Sequence, residues 1–318
     1  MAADTITEQD YLLPEVRALL YEPLAEKIKH VESDHWICYE KADDCLSKLD
    51  RLLHHPKILR MPNLLIIGAT NNGKSMIIEK FRKKYPKSQL TSFEMEQKKT
   101  DCKLSMPVLV IQMPAVPSIR RFCLAILNEL ELRYSLYDRY HIAPLEREVL
   151  DDLKRFDVRM LVIDEIHNIL AGPKRLQIEF LNLLRFLGNS LQIPLVGVGT
   201  KEAYLAIRSD PQLENRFEPF ILPTWTNNIE YKRLLSSFVS LMPLGLESKL
   251  AESPLAEIIL ERSEGIIGEM ARLIKAAAIW VLYTSEVRIS ERVLRLVDFH
   301  SPSKRKQMFE DELIDKRT

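Results

Sequence analysis

The sequence lacks the marks of membrane-spanning, secreted and disulfide-bonded proteins. None of its apolar runs approaches the length of a membrane span, and its first residues, Met-Ala-Ala-Asp-Thr, lack the basic and apolar blocks of a signal peptide. Its few cysteines are too widely spaced to form a C-x-x-C pair: Cys38, Cys45, Cys102 and Cys123. We therefore expect reduced thiols rather than a zinc site, and a cytoplasmic protein.

An excess charge of either sign is also missing. Lys and Arg together number 45, as do Asp and Glu, so the formal net charge is zero. Bulk charge therefore gives no argument for nucleic-acid binding, and a DNA-binding surface would have to be a local patch. With 318 residues, 46% of them hydrophobic and 28% charged, the chain has the composition of a globular protein with room for one domain of ordinary size and one smaller domain.

Glycine is scarce, yet two of the nine glycines occupy the fixed positions of a phosphate-binding loop. The stretch Gly68-Ala-Thr-Asn-Asn-Gly-Lys-Ser75 fits the pattern G-x-x-x-x-G-K-[ST] and directly follows the apolar run Leu64–Ile67. Without Cβ atoms the loop can curl so that its N–H groups face phosphate oxygens, and a helix over about Lys74–Lys84 adds its dipole. The predicted nucleotide-binding residues are Gly68, Ala69, Thr70, Asn71, Asn72, Gly73, Lys74, Ser75 and Met76.

A second motif supplies acidic residues. The apolar run Met160–Ile163 precedes Asp164 and Glu165, which predicts a buried strand that carries two carboxylates to its carboxyl end. Lys74 would reach the β- and γ-phosphates of ATP, while Ser75 and Asp164 would hold Mg²⁺. Glu165 would orient and polarise the water that attacks the γ-phosphate. Alone, the acidic string also fits an ordinary strand end, but a spacing of about 90 residues from the phosphate-binding loop favours a pair of motifs.

Two further residues have predicted catalytic roles. Thr200 ends the run Leu195–Gly199, and it would face the γ-phosphate if this strand lies between the two motif strands; it could equally cap the next helix, or do both. Arg216 precedes the last predicted strand. In ring-forming ATPases an Arg here stabilises transition-state charge in the neighbouring subunit. Arg208 is the other candidate, and the alternative is a surface Arg216 paired with Glu214 or Glu218.

Weaker signals surround these motifs. Gly265-Ile-Ile-Gly268-Glu-Met-Ala271-Arg272 is similar to the sensor 2 region of such ATPases, although Arg272 comes one position later than usual. Asp164-Glu-Ile-His167 resembles the D-E-x-H string of helicases, but the chain has no room for their second motor domain, and His167 is expected on a loop. The candidate DNA-binding residues are Lys103, Arg120 and Arg121, for which a solvated face is the alternative.

Strands alternate with helices up to about residue 224 and then stop. This order predicts an α/β fold, with a parallel five-stranded sheet between helices and a carboxyl-terminal all-helical lid. Residues 82–103 are expected to form a solvated or flexible connection. The predicted domains are a helical extension (1–60), the nucleotide-binding core (61–224), the lid (225–299) and a charged, loose tail (300–318). The predicted strands are Asn63–Ile67, Val108–Gln112, Arg159–Ile163, Pro194–Val198 and Pro219–Leu222.

Taken together, these motifs resemble those of an AAA+ P-loop NTPase, and five stretches resemble the TniB/TnsC family of AAA+ transposition regulators. The stretches are Trp36-Ile-Cys-Tyr, Arg60-Met-Pro-Asn-Leu-Leu, Thr70–Arg82, Met160–Asn168 and Asn215-Arg-Phe-Glu-Pro. The resemblance implies a bacterial regulator that assembles with ATP on double-stranded DNA, as a ring or helical filament of its own copies. It also implies two protein partners, a TniQ-type target selector and a DDE transposase, with hydrolysis limiting the assembly.

The leading interpretation is an ATP-dependent, DNA-binding AAA+ ATPase that regulates transposition. A protein-remodelling ring or an initiator or loader of replication remains open as an alternative. The loop Met113–Arg120 carries no aromatic residue of the kind that unfoldases place there, which counts against the threading of a polypeptide.

Overall fold

The computed structural model describes residues 10–98, 102, 104–132 and 142–315. The described residues form two compact units. The sheet unit comprises Lys41–Thr70 and Lys74–Pro223, and the helical unit takes the described parts of Met1–Glu40, Asn71–Gly73 and Thr224–Thr318. Residues 1–60, predicted as one extension, are thus divided between the units at residue 40.

The strands and helices have the following bounds. The strands, in chain order, are β1 (Asn63–Gly68), β2 (Ser88–Gln89), β3 (Leu104–Ser105), β4 (Val108–Gln112), β5 (Met160–Asp164), β6 (Leu195–Gly199) and β7 (Phe217–Leu222). The helices are α1 (Pro14–Leu19), α2 (Leu24–Glu32), α3 (Glu40–Leu53), α4 (Lys74–Lys84), α5 (Ser92–Lys98), α6 (Ile119–Glu129), α7 (Ile142–Arg155), α8 (Lys174–Leu191), α9 (Glu202–Arg208), α10 (Pro211–Glu214), α11 (Ile229–Leu241), α12 (Leu255–Ser263), α13 (Ile267–Tyr283), α14 (Glu291–Leu296) and α15 (Pro302–Asp315).

The sheet unit is built on a five-stranded parallel sheet in the order β4-β5-β6-β1-β7, which confirms the predicted fold. Strands β1, β5 and β6 are largely apolar and buried, as expected for strands that are covered on both faces, whereas the edge strand β7 exposes Glu218, Pro219 and Ile221. The side chain of Asn63 is a buried exception: its Oδ1 accepts a hydrogen bond of 2.9 Å from the N–H of Leu195. This bond links the starts of β1 and β6, the strands that lead to the phosphate-binding loop and to Thr200.

The core of this unit lies between the sheet and helices such as α6 and α8. The rings of Phe122 and Phe180 meet edge to face with their centroids 5.0 Å apart, and both side chains are fully buried. Such aromatic pairs add to the burial of apolar surface that holds helices to a sheet. The core therefore fixes the strand ends from which the functional side chains project.

The segment 82–103, expected as a solvated connection, contains regular structure. Helix α4 continues to Lys84, helix α5 follows β2, and β2 pairs antiparallel with β3 through Ser88 and Ser105. The strands are two residues long, too short for an alternation of apolar and polar residues to show in the sequence.

The helical unit has its own core around helices α11, α12 and α13. Tyr231 is fully buried there, and its hydroxyl donates a hydrogen bond of 2.7 Å to the carbonyl of Ala256. Val31 of α2 belongs to the same core. Helix α15 lies within the segment expected as a loose tail. No helix in the described ranges is both long and apolar enough to cross a membrane.

Candidate nucleotide-binding site

The phosphate-binding loop connects β1 to α4, in the strand–loop–helix setting that its motif requires. Two of its residues have left-handed backbone conformations, Asn71 with φ 61° and Gly73 with φ 80°. Glycine adopts this region freely, and Asn is one of the few other residues that enter it at small cost. The loop sequence thus suits a backbone that curls around an anion.

Lys74 is buried at the start of α4. Its Nζ donates hydrogen bonds to the carbonyl oxygens of Gly68, at 2.9 Å, and of Ala69, at 2.7 Å. Burial lowers the pKa of Lys74, while the nearby carboxylates of Glu165 and Asp164 act in the opposite direction. A desolvated cation favours the binding of an anion such as a phosphate. The two nearby carboxylates favour the binding of a metal ion.

Ser75 and Asp164 meet, although they are far apart in the chain. The Ser75 hydroxyl donates to Asp164 Oδ2 at 2.9 Å, and the other carboxylate oxygen accepts the N–H of Glu165 at 2.8 Å. A hydroxyl oxygen and a carboxylate oxygen are hard ligands of the kind that Mg²⁺ binds. The side chains present therefore fit the predicted metal.

Glu165 follows β5 in a left-handed conformation, with φ 55°. For a residue other than Gly, Asn or Asp this conformation costs about 1–2 kcal/mol, and such strain is concentrated at functional sites. The Glu165 carboxylate lies 3.2 Å from Nε2 of His167 and is partly exposed. His167, expected on a loop, lies in a short 3-10 helix, Ile166–Ala171.

Two glycines of β6 make room for the acidic segment. A Cβ atom on Gly197 would lie 2.8 Å from Cδ1 of Leu65 and 3.0 Å from Cδ1 of Ile166. A Cβ atom on Gly199 would lie 2.9 Å from Nδ1 of His167. Real Cβ atoms essentially never come within 3.0 Å of another atom, so a Cβ atom at either position would require Leu65 or His167 to shift, and the two glycines leave room for the residues after Glu165 to pack on β6.

Thr200 follows β6, which lies between β1 and β5 as its predicted sensor role requires. Its hydroxyl donates to the carboxylate of Glu202, in the first turn of α9. This hydrogen bond contributes to lowering the pKa of Glu202. Thr200 is therefore at the carboxyl edge of the sheet together with the residues of both motifs, and it also contacts the start of the next helix.

Arg216 lies at the opposite edge of the sheet, immediately before β7. Its Nη1 donates to Oδ1 of Asn189 at 2.8 Å. Glu214 lies 3.9 Å from Arg208 instead, and Glu218 pairs with Lys48. Because six residues of a strand span about 20 Å, Arg216 is far from the carboxyl edge at which Ser75 and Asp164 lie.

In the helical unit, Asn71 of the loop is held by α13. Its Nδ2 donates to Oε1 of Glu269 at 3.1 Å, and its carbonyl accepts the N–H of Gly268 at 3.0 Å. A Cβ atom on Gly268 would overlap the Asn71 amide, so this glycine admits the side chain. Arg305 of α15 donates two hydrogen bonds to the same Glu269, at 2.8 and 2.9 Å.

The family described as Bacterial TniB protein matches residues 27–227. The chain belongs to this family. The TniB-family chain is also 35% identical over 78 residues to the ClpA homolog, an ATP-binding subunit of ATP-dependent Clp protease, of Pyropia yezoensis and to that of Porphyra purpurea. Each match covers 24% of the chain, which spans only about a tenth of the length of these curated relatives.

Solved structures share the fold at low sequence identity. The Aeropyrum pernix ORC2 protein, in ADPNP–ADP complexes, superimposes with a TM-score of 0.59 and 17% identity over 84% of the TniB-family chain and 70% of its own. Cdc6p of Pyrobaculum aerophilum gives a TM-score of 0.55 and 14% identity over 81% and 67% of the two chains. The TniB-family chain thus has the fold of an AAA+ P-loop NTPase.

The remaining predicted residues of the TniB-family chain are placed as follows. Arg272 lies 3.7 Å from Glu269 and 5.5 Å from the ring centroid of Phe299, within the helical unit. Arg120 and Arg121 open α6, where Arg121 is exposed. Lys103 lies outside the described residues.

Glu269 and Arg305 were not predicted as site residues. Glu269 is in contact with Asn71, from which it is separated by 198 positions, and no local pattern signals such a contact. The only sequence signal nearby is that the stretch Gly265–Arg272, which includes Gly268, is similar to a sensor 2 region. The structure therefore adds a buried carboxylate and its arginine to the surroundings of Asn71 within the helical unit.

Proposed function

We propose that this protein is an ATP-dependent, DNA-binding AAA+ ATPase that regulates DNA transposition. The observation that carries the proposal is the contact of Ser75 with Asp164 beside the buried Lys74, in a chain of the TniB family. This contact joins the two halves of an ATP-hydrolysis site that are separated by 89 positions. The proposed location is the cytoplasm, on DNA.

ATP is the proposed substrate of the phosphate-binding loop. The backbone N–H groups of residues 68–76 would bind the phosphate oxygens, and Lys74 would exchange its carbonyl partners for the β- and γ-phosphates. Ser75 and Asp164 would hold Mg²⁺, which when bound neutralises the charge that develops on the phosphates. Arg272 is a further proposed contact of the nucleotide.

Glu165 is the proposed residue that prepares the attacking water. Its carboxylate would accept a hydrogen bond from that water and orient it toward the γ-phosphate. Thr200, directly after β6, the strand between β1 and β5, would donate a hydrogen bond to the same phosphate. The left-handed backbone of Glu165 supports this role, because such strain is concentrated at functional sites.

Arg216 is proposed to act on the ATP of a second copy of the chain. Its place at the amino edge of the sheet, remote from its own phosphate-binding loop, supports action in trans. ATP bound between copies would favour assembly, because the nucleotide then has a higher affinity for the assembled state. A ring or a helical filament is the proposed form.

Double-stranded DNA is the proposed partner of the assembly. A chain with zero net charge needs a local basic patch, for which Lys103, Arg120 and Arg121 are the candidates. Contacts to phosphates give affinity with little sequence preference. A TniQ-type target selector and a DDE transposase are the proposed protein partners, on the basis of the family alone.

Binding to a random-sequence duplex tests this function. It would be measured with ATP, with ADP and without nucleotide, across a salt series, while particle size is followed. The proposal predicts binding that needs ATP, weakens steeply with salt and is accompanied by large assemblies. Absence of DNA binding in every nucleotide state, with ATP hydrolysis intact, would contradict it.

A protein-remodelling ATPase is the second candidate, and the similarity to ClpA homologs favours it. That similarity covers only 24% of the chain, and the loop Met113–Arg120 lacks an aromatic residue. An initiator or loader would share most of the mechanism; a transposase gene beside this one would favour transposition instead.

A further inference from the structure

Arg60 belongs to the stretch Arg60-Met-Pro-Asn, to which the proposed function assigns no role. It lies just before β1, as Arg216 lies just before β7. These strands are parallel neighbours in the sheet, with Asn63 opposite Phe217, and the N–H of Asn63 donates to the carbonyl of Arg216 at 2.9 Å. Because paired strands lie about 4.8 Å apart, the topology brings the two arginines to adjacent positions at one edge.

A groove of about 570 Å³ opens at this edge. Its lining comprises His55, Ile58, Arg60, Met61, Pro62, Gln212, Asn215 and Arg216. Two arginines and a histidine thus face one concave space, and none of the described residues that line it is acidic. Like charges that converge without a counter-charge raise the local positive potential, which favours an anionic ligand.

The two arginines differ in the partners they already have. Arg216 uses Nη1 for Asn189, which fixes its position and leaves other N–H groups for a ligand. Arg60 is exposed and forms no hydrogen bond or ion pair with another residue in the described part of the chain. It therefore has a full guanidinium fork available for the bidentate hydrogen bonds by which Arg recognises phosphate.

We propose that Arg60 is a second trans-acting cation, which binds the phosphates of the ATP held by a neighbouring copy, beside Arg216. This inference rests on the proposed function, because it needs ATP bound between copies. The groove then receives the triphosphate end of the neighbour's nucleotide, with Arg216 as its fixed cation and Arg60 as its mobile one. The ligand class is a nucleoside triphosphate, not a free anion.

Mixed assemblies provide the test. The variants Arg60→Ala and Arg216→Ala each keep an intact phosphate-binding loop, and the variant Glu165→Gln keeps both arginines but is expected to hydrolyse poorly. Alone, Arg60→Ala should lose about tenfold in turnover on DNA at saturating ATP, the loss expected for one charge-assisted contact. Addition of the inactive Glu165→Gln protein should then raise turnover per Arg60→Ala subunit, because it supplies Arg60 from the neighbouring position.

Three comparisons make the result decisive. Lys57→Ala removes an exposed cation that does not line the groove and should leave turnover unchanged. Arg60→Lys keeps a positive charge and should retain part of the activity, and unaltered thermal unfolding of all variants would exclude a folding defect. If Glu165→Gln protein rescues Arg216→Ala but not Arg60→Ala, the Arg60 inference is wrong while the shared site stands.

Two other results would overturn the inference in different ways. If neither arginine variant is rescued, ATP is not shared between copies, and the proposed assembly falls with it. If Arg60→Ala keeps full turnover but loses DNA binding, the groove serves nucleic-acid phosphates instead of a neighbour's nucleotide.

Discussion

At the scale of single residues, the site includes two glycines at which a Cβ atom would crowd neighbouring side chains. Gly197 and Gly199 of β6 leave space for the side chains of Leu65, Ile166 and His167. The segment after Glu165 can therefore pack against β6, the strand that precedes Thr200. Glu165 itself has a left-handed backbone. The glycines of the neighbouring strand β6 therefore leave room for the segment that follows the proposed catalytic carboxylate.

Gly199→Ala tests this view. The added Cβ atom would lie 2.9 Å from Nδ1 of His167 and 3.0 Å from Cβ of Ala203, so we expect His167, in the 3-10 helix after β5, to shift. We expect a loss of about 1–3 kcal/mol in the free energy of unfolding, and slower ATP hydrolysis because Glu165 moves. Denaturant unfolding and steady-state turnover measure the two effects.

The matched control is Gly245→Ala. Nothing lies within 4 Å of a Cβ atom at Gly245, and its backbone is not left-handed. This variant should keep both stability and turnover. Equal behaviour of the two alanine variants would show that the space beside His167 is not required.

The motif residues could be predicted because their signal is local. Lys74 and Ser75 lie in one loop sequence, and Asp164 follows a run of apolar residues, so each is found within a few positions. The contact between Glu269 and Arg305 spans 36 positions and depends on how helices pack. No period or motif in the sequence encodes such a pair.

At the scale of helices and strands, buried apolar runs were predicted well and polar segments were not. The predicted bounds of β4, Val108–Gln112, agree with the structure, because this strand carries a run of four apolar residues. Helix α15 has a polar sequence without an apolar stripe, and its ion pair from Arg305 to Glu269 is a tertiary contact. The sequence predicted a loose tail here because helix α15 is held by a long-range ion pair, which leaves no apolar pattern in the sequence.

Arg305→Ala should loosen α15 and the loop residue Asn71 together. Glu269 is buried and would lose both of its Arg305 hydrogen bonds, at a cost of about 1–3 kcal/mol. Hydrogen exchange of α13 and of residues 71–73 should speed up. Lys306→Ala removes an exposed cation from the same helix and serves as the control, and equal exchange in both variants would contradict the prediction.

The ion pair of Glu269 with Arg305 predicts that the free energy of unfolding depends on pH. Burial acts to raise the pKa of Glu269, but hydrogen bonds from Arg305 and Asn71 outweigh it, so this pKa lies below its ordinary value. A lowered folded-state pKa gives stability that is present above the ordinary value and lost as the pH falls through the folded value. The difference in unfolding free energy between wild type and Arg305→Ala should therefore shrink under acid conditions, and a difference that grows would contradict this account.

At the scale of the whole molecule, the sheet separates two sets of proposed site residues. Ser75, Asp164 and Thr200 lie at its carboxyl edge, while Arg60 and Arg216 lie at its amino edge. A single chain with this arrangement completes the proposed site only when a second copy supplies its arginines. Assembly and hydrolysis are thus linked by the topology of the sheet, within the function proposed here.

If Arg120 and Arg121 bind DNA phosphates as proposed, each lost contact should weaken DNA binding independently of the others. Replacement of Arg120 and Arg121 by Ala should weaken DNA binding similarly for all sequences and reduce the slope of log affinity against log salt by about one for each phosphate that is no longer bound. Arg175→Ala, which removes an exposed arginine on α8 paired with Glu179, is the control. An unchanged salt slope in the double variant would exclude this part of α6 from the DNA surface.

ATP bound at the Ser75–Asp164 site is proposed to drive assembly on DNA, and hydrolysis that depends on Glu165 is proposed to end it. The most direct measurement follows the DNA-bound fraction over time after a single addition of ATP, for wild type and for Glu165→Gln. We predict that wild type binds and then dissociates as ATP is consumed, whereas Glu165→Gln binds equally well and stays bound. Dissociation of both proteins at the same rate, with equal turnover of ATP, would contradict the claim.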